Sequence, residues 1–116
     1  MANSLRKDRL GDEIRDIVAT SLSGGQLNDP SLEFVTITGV KLSADLQLAS
    51  IYFRVLDDSK QKETKKGLQR AAGVFRHRLA EELEIRRVPT LRFFYDESVE
   101  KGEKVDLLLE KIRRES

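Results

Sequence analysis

Apolar residues at Leu5, Leu10, Ile14, Ile17, Val18 and Leu22 recur at mostly three- to five-residue spacing, the stripe of an amphipathic helix. Ser4 stands where an N-cap would. The stretch SGGQLNDP, residues 23–30, gathers glycine, asparagine, aspartate and proline, so it ends the helix and predicts a loop. From Glu33 to Leu42 and from Leu48 to Leu56 β-branched and aromatic residues dominate. In the second of these runs Ala49, Ile51, Phe53 and Val55 alternate with Ser50, Tyr52 and Arg54. Two strands are predicted, and the short turn at Ser43, Ala44 and Asp45 makes them an antiparallel hairpin.

Asp57, Asp58 and Ser59 supply capping chemistry for a helix beginning near Lys60. Leu68, Ala72, Phe75 and Leu79 carry its apolar stripe on to about Leu83. That stripe crosses Gly73, and a mid-helix glycine costs about 1 kcal/mol relative to alanine. The sequence therefore predicts two helices meeting at a kink, Ala71-Ala72-Gly73. Arg86, Arg87, Val88 and Pro89 form a basic connector, because the residue before proline is pushed out of the helical region. A strand from Leu91 to Tyr95 follows. Ser98 then caps a last helix carrying Val105, Leu108, Leu109 and Ile112, weakened by Gly102. The order αββααβ plus a C-terminal helix is an α+β arrangement, with helices covering one three-stranded sheet.

At 116 residues the chain fits one domain, 1–116, and a hydrophobic share of 39% beside 35% charged residues supports a packed core rather than disorder. It has no cysteine, which removes thiolate catalysis and sulfur-ligated metal and fits a cytoplasmic address. No run approaches the ~18 apolar residues that a membrane span requires, so no membrane partner is expected. The net charge of +1 conceals a strong polarity. Residues 60–79 hold Lys60, Lys62, Lys65, Lys66, Arg70, Arg76 and Arg78 against Glu63 alone, a local +6 that leaves −5 for the rest. Such a block either forms a solvated helix face or awaits a polyanion, and phosphate backbone is the polyanion it suits.

Enzymatic chemistry is poorly provided for. His77 is the one histidine and lies between Arg76 and Arg78 with no second histidine to share a metal, so a surface or RNA-facing role is expected rather than catalysis or metal binding. The pairs Asp57-Asp58, Glu81-Glu82 and Asp96-Glu97 fall at helix ends or faces, where solvated capping explains them. Neither a G-x-x-x-x-G-K-[ST] loop nor a G-x-G-x-x-G turn is present. No cofactor, metal, catalytic group or small-molecule substrate is expected.

A kink between two basic helices would bring cations and helix-terminal amides to one point. On this reading Leu68, Phe75 and Leu79 face the sheet, while Lys62, Lys65, Lys66, Arg70, Arg76 and His77 are open to RNA and Arg86 and Arg87 extend the patch. Phe34, Phe53, Phe75 and Phe93 lie on apolar stripes and are assigned to the core. Shape and phosphate recognition are then expected rather than base reading.

Motifs sharpen this. Asp29-Pro30-x-Leu32, Val35-Thr36-Ile37-Thr38 with Val40, Ser43-x-Asp45-Leu46 with Ala49, Ala71-x-Gly73, Arg87-Val88-Pro89-x-Leu91-x-Phe93, and Tyr95-Asp96-x-Ser98 with Gly102 follow in order. In these the chain resembles ribosome-binding factor A, a bacterial assembly-factor family of the small ribosomal subunit. The resemblance implies a type II KH-like fold with Ala71-x-Gly73 in place of the G-x-x-G clamp. It also implies binding to the free small subunit and its rRNA, and a part in late maturation and rRNA processing. By the same resemblance Lys65, Lys66, Arg70, Arg76 and Arg87 mark the basic surface, with Ala71 and Gly73 at the kink. A monomer is expected. The competing reading is a non-catalytic protein-interaction module that docks a partner through an exposed strand edge. If the kink is central, Gly73→Val should cost stability and binding together.

Overall fold

The computed structural model describes residues 2–24 and 27–97. The N-terminal stripe forms α1, Ala2–Ser23. Ile14, Val18 and Ser21 are fully buried on its inner face, and the Ser21 hydroxyl is satisfied by donating to the Ile17 carbonyl at 2.8 Å. Two expectations fail at its start. The helix already runs through Ser4, which is therefore not its cap, and Leu5 is exposed rather than part of the buried stripe.

The predicted hairpin is present as β1, Val35–Leu42, antiparallel to β2, Leu48–Val55. The turn is built by side chains. Asp45 Oδ1 accepts from the Ser43 hydroxyl at 2.6 Å and the Gln47 amide at 3.1 Å, while Leu46 takes the left-handed φ of 60° that closes the loop. A bulge between Ile37 and Gly39 shifts the β1 register, which lets Ile37 and Leu42 both face the core.

One helix follows the hairpin. A single 3-10 turn, Asp58–Lys60, is capped by Asp57, whose carboxylate accepts the Ser59 amide at 3.0 Å. It leads into α2, Gln61–Glu82. The expected division at Ala71-Ala72-Gly73 is corrected here: α2 is one helix of 22 residues that passes through these positions without interruption. The reason is the buried stripe Thr64, Gly67, Leu68, Ala71, Phe75 and Leu79, which continues on both sides of Gly73. Packing of that stripe outweighs the roughly 1 kcal/mol that one exposed glycine costs. The order is consequently αββαβ over the described residues, and the expected helix after Ser98 lies outside them.

β3, Thr90–Tyr95, lies parallel to β2 with Ile51 opposite Phe93, so the sheet order is β1-β2-β3. Parallel neighbours require a crossover, and α2 provides it. Both helices pack on the same face of the sheet, where Ala49, Ile51, Phe53, Leu91 and Phe93 meet Ile14, Leu68, Phe75 and Leu79 in one core. Phe53 and Phe75 are fully buried, and Phe75 lies 6.1 Å from Phe93 between ring centroids. Phe34 departs from its assignment to the core. It precedes β1 at the end of the sheet and is 61% exposed beside the still more exposed Leu56. The opposite face of the sheet carries no helix among the described residues.

Candidate nucleic-acid interface

At 3.6 residues per turn, the side of α2 opposite its buried stripe holds Lys62, Lys66, Gly73, Arg76 and His77, with Lys65 on one flank and Arg70 on the other. All seven are exposed. Lys62, Lys66 and Arg76 form no ion pair among the described residues, nor do Arg86 and Arg87, which lie exposed in the connector to β3. Lys62 with Lys66, and Lys66 with Arg70, are like-charge pairs one helical turn apart. Each such pair destabilises an isolated helix by about 0.2–0.5 kcal/mol. Carboxylates meet this side of the helix at its C-terminal end, where Glu81 lies 2.9 Å from His77 and Glu82 3.3 Å from Arg78, and on its flank, where Asp29 lies 2.9 Å from Arg70. Lys62, Lys66 and Arg76 are thus a cationic strip without ion pairs among the described residues, and a phosphate backbone is the ligand that relieves it.

The two residues of the expected kink separate. Ala71 is buried in the core, 6% exposed, and points at the sheet instead of at a ligand. Gly73 sits in the middle of the cationic strip, and a Cβ built there would meet nothing within 4 Å. Gly73 therefore leaves bare helix backbone between Lys66 and Arg76, where a chain of phosphates can approach closely.

Arg70 is only partly available. Its Nη2 lies 2.9 Å from Asp29 Oδ2, with Nε at 3.3 Å. Asp29 also accepts the Ser31 hydroxyl at 2.7 Å and the Ser31 amide at 3.1 Å. These bonds from Ser31, and then from Arg70, hold the Asp29 carboxyl below its ordinary value of 3.8. Ser31 in turn accepts the Thr64 hydroxyl on its carbonyl at 3.1 Å. Asp29-Pro30-x-Leu32 is thereby a clasp. It caps the one-turn 3-10 helix Pro30–Leu32, seats Leu32 in the core and ties that turn to α2 through Thr64 and Arg70.

The clasp closes over Gly67, where a Cβ would lie 2.1 Å from Ser31 Oγ and 3.0 Å from Leu32 Cδ2. Sequence pattern singles out neither Gly67 nor Thr64. The signal is there in the four-residue steps from Thr64 and Gly67 to Leu68 and Ala71, but small and polar residues do not register on an apolar stripe.

A lowered folded value makes Asp29 stabilising in its ionised form. That contribution is complete above the ordinary value of 3.8 and is lost as pH falls through the lowered folded value. Asp29→Asn should therefore flatten the acid limb of stability. Urea melts of both proteins through the acid range check this, and parallel limbs would count against the clasp.

The second motif cluster is structural too. Asp96 accepts the Thr38 hydroxyl at 2.6 Å through Oδ2 and the Arg54 guanidinium at 3.2 Å through its carbonyl. The Tyr95 hydroxyl donates to Asp58. Tyr95-Asp96 thus pins the end of β3 to β1, β2 and the 3-10 turn that leads into α2. Lys65 does something different: its Nζ lies 5.7 Å from the centroid of Phe94, whose side chain is on the open face.

Among the described residues no three His, Asp or Glu side chains converge as a metal site, and no helix is long and apolar enough to cross a membrane. A three-stranded mixed sheet with its helices on one face and a cationic outer strip on α2 defines a small KH-like α+β domain. Over residues 6–109 the sequence matches the family model of ribosome-binding factor A. It is 44% identical over 117 residues to the ribosome-binding factor A of Pediococcus pentosaceus, covering 99% of this chain and all of that one. The chain belongs to the ribosome-binding factor A family.

Solved structures agree. The crystal structure of ribosome-binding factor A from Thermus thermophilus superposes with a TM-score of 0.70 at 27% identity, over 77% of this chain and 93% of that one. A homology model of the Thermus thermophilus protein, fitted into the cryo-EM map of a 30S-RbfA complex, gives a TM-score of 0.65 at 26% identity, over 79% and 97% of the two chains.

Proposed function

We propose that this protein is a non-catalytic, cytoplasmic assembly factor that binds the free small ribosomal subunit through its rRNA and assists late maturation and rRNA processing. The observation that carries the reading is the exposed strip Lys62, Lys66, Arg76, which forms no ion pair among the described residues and is centred on the bare backbone at Gly73. The complex of the Thermus thermophilus relative with the 30S subunit supports the choice of partner. Lys65, Arg86 and Arg87 extend the contact, and Arg70 contributes the N–H groups that Asp29 leaves free. The protein acts as a monomer, without cofactor or small-molecule substrate.

The strand-edge alternative has less to stand on. The β1 edge is interrupted by its bulge, and β3 carries the Lys65 ammonium 5.7 Å from its Phe94 ring. Salt distinguishes the two readings. Cosedimentation with purified free small subunits should weaken steeply as salt rises, losing about 0.7–0.9 in log affinity per phosphate contact for each tenfold increase in salt. Binding indifferent to salt would favour strand addition and remove the phosphate reading.

A further inference from the structure

Outward-facing positions of the three strands form a surface that the basic helix does not account for. Tyr52 on β2 and Phe94 on β3 are register partners on the open face, with ring centroids 5.8 Å apart and planes inclined at 33°. Phe94 is 39% exposed and Tyr52 half-buried. Ile51 and Phe93 supply the core on the other face of these strands, so the outward faces of the two rings are left open to a ligand.

On the strands themselves the outward charges have one sign, although Arg54 is engaged by Asp58 at 3.9 Å. Outward positions of β1, β2 and β3 include Lys41, Arg54 and Arg92 and no carboxylate. Lys41 Nζ lies 5.9 Å from the Tyr52 centroid, and Lys65 Nζ lies 5.7 Å from that of Phe94. Carboxylates stand at the β1 side, where Asp12, Asp96 and Glu97 line the hollow next to Tyr52. A negatively charged strand would be turned away from that side and toward Phe94, Lys65 and the strip on α2.

We propose that this face is a stacking platform for single-stranded RNA, with bases laid on Tyr52 and Phe94 and their phosphates taken by Lys41, Arg92 and Lys65. The proposal rests on the RNA-binding reading above and extends it from phosphate contact to base contact. Lys65 is the hinge between the two, because it stands on the cationic helix and reaches the platform. A base stacked on an aromatic ring is held more strongly than the exposed lysine it displaces, and the freed ammonium pairs with the incoming phosphate. Stacking is tolerant of sequence, so the expected partner is an unpaired segment rather than a particular base order.

The test uses the full chain and two short labelled strands equal in length and charge, an oligoadenylate and an abasic ribose-phosphate strand, titrated by fluorescence anisotropy at low salt. Wild type should prefer the base-bearing strand by about tenfold or more, since one stacked base is worth on the order of 5- to 150-fold. Tyr52→Leu/Phe94→Leu should erase that preference and hold its affinity for the abasic strand within about twofold. Tyr52→Phe keeps the ring and should keep the preference.

Equal binding of both strands by wild type would overturn the platform, as would a preference that survives in the double leucine variant or is lost in Tyr52→Phe. A concentration-dependent dimer that the leucine variant abolishes would also overturn it, by showing that a second copy occupies the face. Lys62→Glu/Lys66→Glu/Arg76→Glu should weaken both strands alike. If it changed neither while the preference persisted, the basic-helix reading would fall and the platform would stand.

Discussion

Gly67→Val is expected to destabilise the fold by about 2–4 kcal/mol, whereas Gly73→Val, six residues on in the same helix, is expected to leave stability unchanged within about 0.5 kcal/mol. At position 67 the added Cβ would overlap Ser31 Oγ at 2.1 Å and press on Leu32 Cδ2 at 3.0 Å. Ser31 cannot simply swing aside, because its hydroxyl is bonded to Asp29 and its carbonyl to Thr64. Leu32 is 6% exposed and has nowhere to go. The clasp must open, with loss of the Arg70 ion pair and of Leu32 burial. That cost exceeds the few tenths of a kcal/mol that valine gains over glycine as a helix former.

At position 73 no atom lies within 4 Å of the new Cβ, so only helix propensity changes. The sequence-based expectation that Gly73→Val harms stability and binding together is thereby divided: its effect on binding remains expected, its effect on stability does not. Urea melts of the two variants measure the contrast. Equal destabilisation would mean that the approach of the Pro30–Leu32 turn to α2 has been misjudged.

Those two glycines also show what a sequence can and cannot convey. Residue type and the period-3.6 stripe locate the described α-helices and strands, with alternation clear in β2 and with α2 expected as two helices rather than one, because burial on one face leaves a trace in residue type. The antiparallel hairpin is legible from its turn residues. The ordering of the strands is not, since the parallel pairing of β2 with β3 depends on where α2 carries the chain. The kink misleads for a local reason: propensity charges Gly73 about 1 kcal/mol, but Leu68, Ala71, Phe75 and Leu79 remain on one buried face through it, and tertiary packing decides.

Phe34 misleads from the opposite side. It adjoins the apolar strand residue Val35, yet it stands one residue before β1, where the sheet ends and no described helix covers it. The basic strip is legible as a count of charges. Which of those charges are already committed is not, because the partner of Arg70 is Asp29, 41 positions away in sequence. Tyr52 and Phe94 escape notice because an aromatic residue on an outward strand position looks the same in sequence as one that a second layer will cover.

Charge reversal on the strip carries the larger expected effect on function. Lys62, Lys66 and Arg76 are exposed, unpaired among the described residues and directed away from the core. Replacing all three by glutamate removes three cations and adds three anions along one face. At roughly 1.5 kcal/mol per charged contact, the three together amount to about 4.5 kcal/mol, and affinity for the subunit should fall on the order of 1,000-fold or more. The salt dependence should become shallower by about one phosphate contact per residue replaced. Folding should be spared, since exposed substitutions of this kind change stability by about 0.5 kcal/mol or less each. Arg70 is deliberately outside the set, because its reversal would break the Asp29 clasp and confuse lost binding with lost fold.

The decisive measurement is cosedimentation of Lys62→Glu/Lys66→Glu/Arg76→Glu with free small subunits at low salt, beside a thermal melt of the same protein. If the strip carries binding, the variant melts with the wild type and stays at the top of the gradient. A variant that melts with the wild type and still travels with the subunit would contradict that role.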